Sequence, residues 1–171
     1  MIKTTVIALT IGTMGIFNVV EEFHRELPVS VEISHESLAL TEVRQTLKIL
    51  GRPEKFANDI YMAASAKGIN PTLMTCLIET ESEFKITARS SKNYQGLTQT
   101  PKAVGRTGYE FGDISYGVCV LAEKLTIAKG DQYLAMALYK GGNNASAKKE
   151  AAKVFTLFNK IKAKLKEPRN G

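Results

Sequence analysis

The chain has 171 residues, 44% of them hydrophobic and 23% charged, which is enough for one soluble domain with its own core. This composition excludes a collagen-like, low-complexity or disulfide-dense protein. The formal net charge is +6, and the excess lies at one end: from Lys140 onward nine basic side chains face two acidic ones, Glu150 and Glu167. Such an end favours a polyanionic surface, and a solvated helix face would carry the same pattern.

Lys3 is followed by an uncharged, mostly apolar run from Thr4 to Val20, and then by Glu21 and Glu22. As a helix it would span about 25 Å, slightly less than a roughly 30 Å hydrocarbon core. It lacks a clear small-residue cleavage site, so an anchor in contact with a membrane, an export signal and a helix packed on the domain all remain open. Residues 21–33 read as a connector containing Pro28. From Ser34 a helix is predicted, with Leu40, Val43, Leu47 and Leu50 at helical spacing and Gly51 as its stop.

Pro53 suits the first turn of the next helix, which runs to about Lys67 with Phe56, Ile60 and Ala64 on one face. Gly68 ends it, and Asn70-Pro71 opens another through a side-chain cap and a first-turn proline. The pattern is irregular from Phe84 to Gly112. Helical spacing returns at Ile114, Val118, Leu121 and Leu125, then from Tyr133 to Tyr139. It returns again, after Gly141-Gly142-Asn143-Asn144, at Val154, Phe158, Ile161 and Leu165. The fold class expected is all-α with little or no sheet and one long loop. The organisation expected is a hydrophobic segment over 1–20, a connector and helix over 21–51, and a catalytic domain over 52–171. Cys76 and Cys119 both fall in apolar runs and read as buried free thiols. No cluster suggests a metal or an organic cofactor.

Glu79, Glu81 and Glu83 lie close together, and helix geometry separates them. At about 100° per residue, Leu73, Met74, Leu77, Ile78 and Phe84 fall within an arc of roughly 140°. Glu81 projects from the middle of that arc, and Glu79 and Glu83 from the far side. Burial raises the pKa of a carboxyl group and keeps it protonated, as a general acid for glycosidic cleavage requires. A buried glutamate paired with a basic residue would give the same periodicity.

From Glu81 to Gln99 the sequence reads ESEFKITARSSKNYQGLTQ. It resembles the soluble lytic transglycosylase family, whose pattern runs E-S-x-F, then A, then S, then G-L-M-Q at this spacing. Upstream, Ala66 to Pro71 followed by Leu73 is similar to the family's entry to its catalytic helix. Downstream, Asp113-Ile114 with Gly117 and Leu121 is similar to its N-I-x-x-G-x-x-x-L helix. Leu138-Tyr139-Lys140-Gly141-Gly142 stands where the family has A-Y-N-A-G. Three departures stand out: Thr98 replaces a methionine, Asn93-Tyr94 replaces a Gly-Ala pair, and Lys140 replaces an asparagine.

The resemblance implies a lysozyme-like domain that cleaves the β-1,4 bond between N-acetylmuramic acid and N-acetylglucosamine in peptidoglycan. Glu81 would be the catalytic acid, and a 1,6-anhydro end the product. Ser82, Tyr94, Thr98, Gln99 and Tyr139 would contact the glycan or orient the acid. The implied setting is the periplasm or cell envelope, with local opening of the wall. Similar domains are carried by phage particles and secretion machines, so virion or secretion-machine partners are compatible with it by analogy. Two other readings are a hydrolase of the goose-lysozyme kind, with Asp113 as its base, and a non-catalytic wall-binding or assembly protein. Nucleic acid is disfavoured, since no stacking aromatics interleave with the C-terminal lysines.

Overall fold

A computed structural model describes residues 32–167 of the chain, with side chains from residue 38. The apolar run over 4–20 and most of the connector lie outside the described residues. Six α-helices and one helical turn follow in order: α1 (Glu32–Leu50), a 3-10 turn (Glu54–Phe56), α2 (Ala57–Ser65), α3 (Pro71–Ser82), α4 (Glu110–Ile127), α5 (Gln132–Tyr139) and α6 (Ala145–Lys166). Among the described residues there is no strand, only isolated bridges joining Gln95 to Arg89 and to Thr100. The domain is all-α, as the periodicity indicates.

Polar caps set the helix starts. Asn70, Asp131 and Asn144 each accept a hydrogen bond from the amide three residues on, at 2.9–3.0 Å, and so satisfy one orphan donor of α3, α5 and α6. The helix α3 is central, packing against α1, α2 and α6, while α4 packs between α2 and α5. Every residue from Thr72 to Ile78 is buried. The helix α1 belongs to the same core: Val43, Thr46 and Leu47 are fully buried. Lys162 of α6 grips Glu42 of α1 at 3.0 and 2.9 Å, so this lysine is not a free charge of the basic end.

Where α3 stops decides the site. Glu83 and Phe84 have φ of 51° and 59°, two successive non-glycine residues in the left-handed region. Each costs roughly 1–2 kcal/mol. The Phe84 ring offsets this by packing in the core 5.3 Å from Phe56, which holds the reversal in place. The loop that follows is tied down by polar contacts. Asp113, 1% exposed, accepts from the Val104 and Gly105 amides at 2.6 and 3.0 Å.

The two thiols differ. Cys76 is buried, which pushes its pKa up to about 12. Cys119 is exposed, because it lies on the solvent side of α4, away from Ile114, Val118 and Leu121. The expectation that both would be buried holds only for Cys76.

Candidate active site

The last turn of α3, the loop after it, Arg52 and the first turns of α6 enclose a cleft of about 820 Å³. Glu81 lies on its α3 wall, with its side chain 16% exposed. Its Oε1 is 2.9 Å from Lys140 Nζ, and that lysine side chain is only 6% exposed. Nζ also donates to Thr80 Oγ1 at 3.0 Å. Burial raises the Glu81 carboxyl above its ordinary range; Lys140 pulls it back, and the negative charge of Glu150 adds to the rise. Burial outweighs the lysine, which leaves a carboxyl able to carry a proton above the usual range. Both sequence readings of Glu81 therefore hold together: it is held in a desolvated place, and it is paired with a base.

The other two glutamates correct the helical-face argument. Glu79 is as enclosed as Glu81, with its side chain 15% exposed, and receives a bidentate pair from Arg52 at 2.8 and 2.7 Å. The helix α3 is covered on all sides through Ile78, so it has no solvated far side for Glu79 to occupy. Glu83 is exposed, but for another reason: it lies beyond Ser82, where the chain has left the helix and the 100° count no longer applies. All three acids line the cleft.

Ser82 is buried and donates to the Leu97 carbonyl at 2.8 Å, with Ile78 O also in reach at 3.2 Å. It fastens the end of α3 to the loop and does not bond the Glu81 carboxyl. Ser82→Ala should lower stability by about 1–3 kcal/mol, because the Leu97 carbonyl loses its donor, with a smaller effect on turnover. Chemical denaturation alongside kcat checks this. A large fall in kcat at unchanged stability would return Ser82 to the substrate.

Thr98 is fully buried and does not line the cleft. Its hydroxyl donates to Asp113 O at 3.0 Å, and its side chain fills the space that Gly117 leaves, where a Cβ would lie 2.5 Å from Thr98 Cβ. A methionine-to-threonine exchange here faces α4, not sugar. Tyr94 sits at the exposed tip of the loop and is not part of the cleft wall. Gln99 does reach the cleft, in a left-handed conformation with φ of 47°. Its amide nitrogen is taken up by Ala88 O and Gly96 O at 3.0 and 2.9 Å, so the oxygen is what it can offer a ligand. The Tyr139 hydroxyl donates to Thr98 O at 2.7 Å. Burial and the nearby Glu81 charge keep it a phenol. It braces the loop across from α5 rather than bonding Glu81.

Asp113 is placed as a loop anchor. Both of its oxygens accept from backbone amides and it is closed to solvent, so it has no free edge with which to activate a water. Arg52, Lys85, Arg89, Glu150 and Lys153 line the cleft without having been singled out in the sequence. Only Glu150 and Lys153 carried a signal, their three-residue spacing on one helix face, and they pair at 2.7 Å. Among the described residues, no three His, Cys, Asp or Glu side chains converge as a metal site would need.

The Transglycosylase SLT domain matches residues 59–161, a span that holds Glu81, the long loop and Tyr139. The chain belongs to the transglycosylase SLT family. The match begins inside α2 and ends inside α6, so it takes in α3, the long loop, α4 and α5 whole. No curated protein and no solved structure matched the chain in the same comparisons. SLT-domain proteins are peptidoglycan lytic transglycosylases, and this chain is an enzyme of that class with peptidoglycan as its substrate. The non-catalytic reading is thereby set aside.

Proposed function

We propose that Glu81 is the general acid and base of a reaction that cleaves the β-1,4 bond between N-acetylmuramic acid and N-acetylglucosamine, leaving a 1,6-anhydro end. The observation that carries this reading is a carboxyl on the wall of the large cleft whose burial keeps its proton above the ordinary range. The protonated carboxyl gives its proton to the bridging oxygen as the bond to the muramyl anomeric carbon breaks. The sugar's own 6-hydroxyl oxygen then bonds that carbon, and its proton passes to the Glu81 carboxylate, which restores the acid. One carboxyl serves both steps and no water is consumed. This fits a cleft in which Glu79 is held by Arg52 and Asp113 is closed off. Because the substrate is the wall polymer, the same reading places the enzyme in the periplasm or cell envelope and gives it the task of opening the wall locally.

Mass spectrometry of digested peptidoglycan tests the product. Released muropeptides are expected to end in anhydromuramic acid, lighter by one water than hydrolysed ends. Mainly hydrated reducing ends would overturn the proposal in favour of a muramidase.

A further inference from the structure

Lys140 has no part in the reaction scheme above, yet it is the most enclosed charge in the site. It follows Tyr139 at the C-terminal cap of α5, and Gly141 and Gly142 behind it have φ of 130° and 121°, so the chain turns away at once. Its side chain is 6% exposed, and its nitrogen bridges two residues of α3, Thr80 Oγ1 at 3.0 Å and Glu81 Oε1 at 2.9 Å. Among the described residues, Glu81 Oε2 has no hydrogen-bond or ion-pair partner. A bridge from the end of one helix to two successive residues of another fixes both the rotamer of the acid and which of its oxygens is left open.

We propose that Lys140 is a positioning residue that holds the Glu81 carboxyl by Oε1, presents Oε2 to the glycosidic oxygen, and sets by its charge the highest pH at which the acid works. This rests on Glu81 being the acid. The two oxygens are inequivalent: a proton on Oε1 would meet an ammonium, so the transferable proton resides on Oε2. The charge of Lys140 favours the carboxylate and opposes the desolvation that favours the acid, as the opposed directions at Glu81 record. The other charges facing the site are largely matched elsewhere. Glu150 of α6, which favours the protonated form, is paired with Lys153. Arg52 is taken by Glu79, and Lys85 by Glu83. Arg89 lines the cleft from the loop, and Tyr139 of α5 stays a neutral phenol. Lys140 is therefore the cation that acts directly on the acid.

The sign follows. Glu81 must hold a proton to act, so activity falls as pH rises through its pKa. Removing the lysine charge raises that pKa and moves the alkaline limb upward. The test is the pH profile of kcat/KM on purified peptidoglycan for the full chain and three variants, with thermal unfolding run alongside. Lys140→Gln keeps a donor for Glu81 without the charge, and its alkaline limb should lie about 1–3 pH units higher. Lys140→Arg should return the limb close to that of the unaltered protein. Lys140→Met should shift the limb as Gln does, with a plateau kcat roughly tenfold or more below that of Lys140→Gln, since Oε1 loses its anchor. Should the Met variant fail to fold, the Gln and Arg pair decides the outcome. An alkaline limb common to the unaltered protein and the Gln variant overturns the proposal, however much kcat falls. If Glu81→Gln stays active, it is the assignment of the acid that fails, so the two failures are told apart.

Discussion

Replacing Glu81 by glutamine should lower the rate of peptidoglycan cleavage by roughly two to four orders of magnitude, the usual worth of a general acid. The amide has nearly the shape of the carboxyl and can still accept from Lys140 Nζ, so the variant should keep its fold. What it loses is the proton. Two neighbours serve as controls. Glu83 is exposed at 59%, pairing with exposed Lys85 and, at 4.0 Å, with Arg52, so Glu83→Gln should change activity little. Glu79→Gln disrupts a bidentate arginine pair and should cost about 1–3 kcal/mol of stability, with no comparable loss of rate in the protein that remains folded. A dead Glu83→Gln beside an active Glu81→Gln would move the acid two residues along and end the present assignment. The readout is product release measured by liquid chromatography at matched folded concentrations.

The second large effect is on the loop rather than the acid. Gly96 has φ of +77°, and a Cβ there would run into the Asp113 carboxylate and lie 3.2 Å from Ala103 Cβ. Asp113 cannot give way cheaply, because it is buried and holds the Val104 and Gly105 amides. Gly96→Ala should therefore combine overpacking, a left-handed alanine and weakened charge-assisted hydrogen bonds, for a total of roughly 3–6 kcal/mol. That is a large share of the 5–15 kcal/mol that holds a typical domain together. Gly68 separates the causes: its φ is +65° but nothing lies within 4 Å of a Cβ, so Gly68→Ala should cost only about 1 kcal/mol. Urea midpoints for the two variants check this. Equal destabilisation would mean that backbone conformation alone, and not the Asp113 contact, makes Gly96 necessary.

Much of the scaffold was legible in the residues. Apolar positions at helical spacing in α1, α4 and α6 are the ones the core buries: Val43 and Leu47, Ile114, Val118 and Leu121, Val154 and Ile161. The caps Asn70 and Asn144 act where their side-chain chemistry places them. These signals are local, because helix propensity, capping and one buried stripe need only neighbours within a turn or two. The ordered motif from Glu81 to Gln99 named the family for a similar reason, since residue identity at fixed spacing survives without coordinates.

The site's finer roles were not legible, and the cause is the same in each case. Ser82, Thr98 and Tyr139 all offer a hydroxyl, and sequence cannot say whether it meets sugar or backbone; here each donates to a main-chain carbonyl and fastens the loop. The helical-wheel argument failed at Glu79 because a central helix has neighbours on every side; Glu83 is exposed as expected, although the wheel ends there, where φ turns positive. Lys140 stood out as a departure from the family pattern, but its partner is 59 positions earlier in the chain. By itself the sequence determined which segments are helices, which stripes are buried and to which family the catalytic motif belongs, since each depends on short-range periodicity and identity. Only the tertiary structure decided that Arg52 holds Glu79, that Asp113 is a loop anchor and that Lys140 holds Glu81. Long-range pairing depends on how helices from distant parts of the chain pack together, and no local pattern encodes that packing.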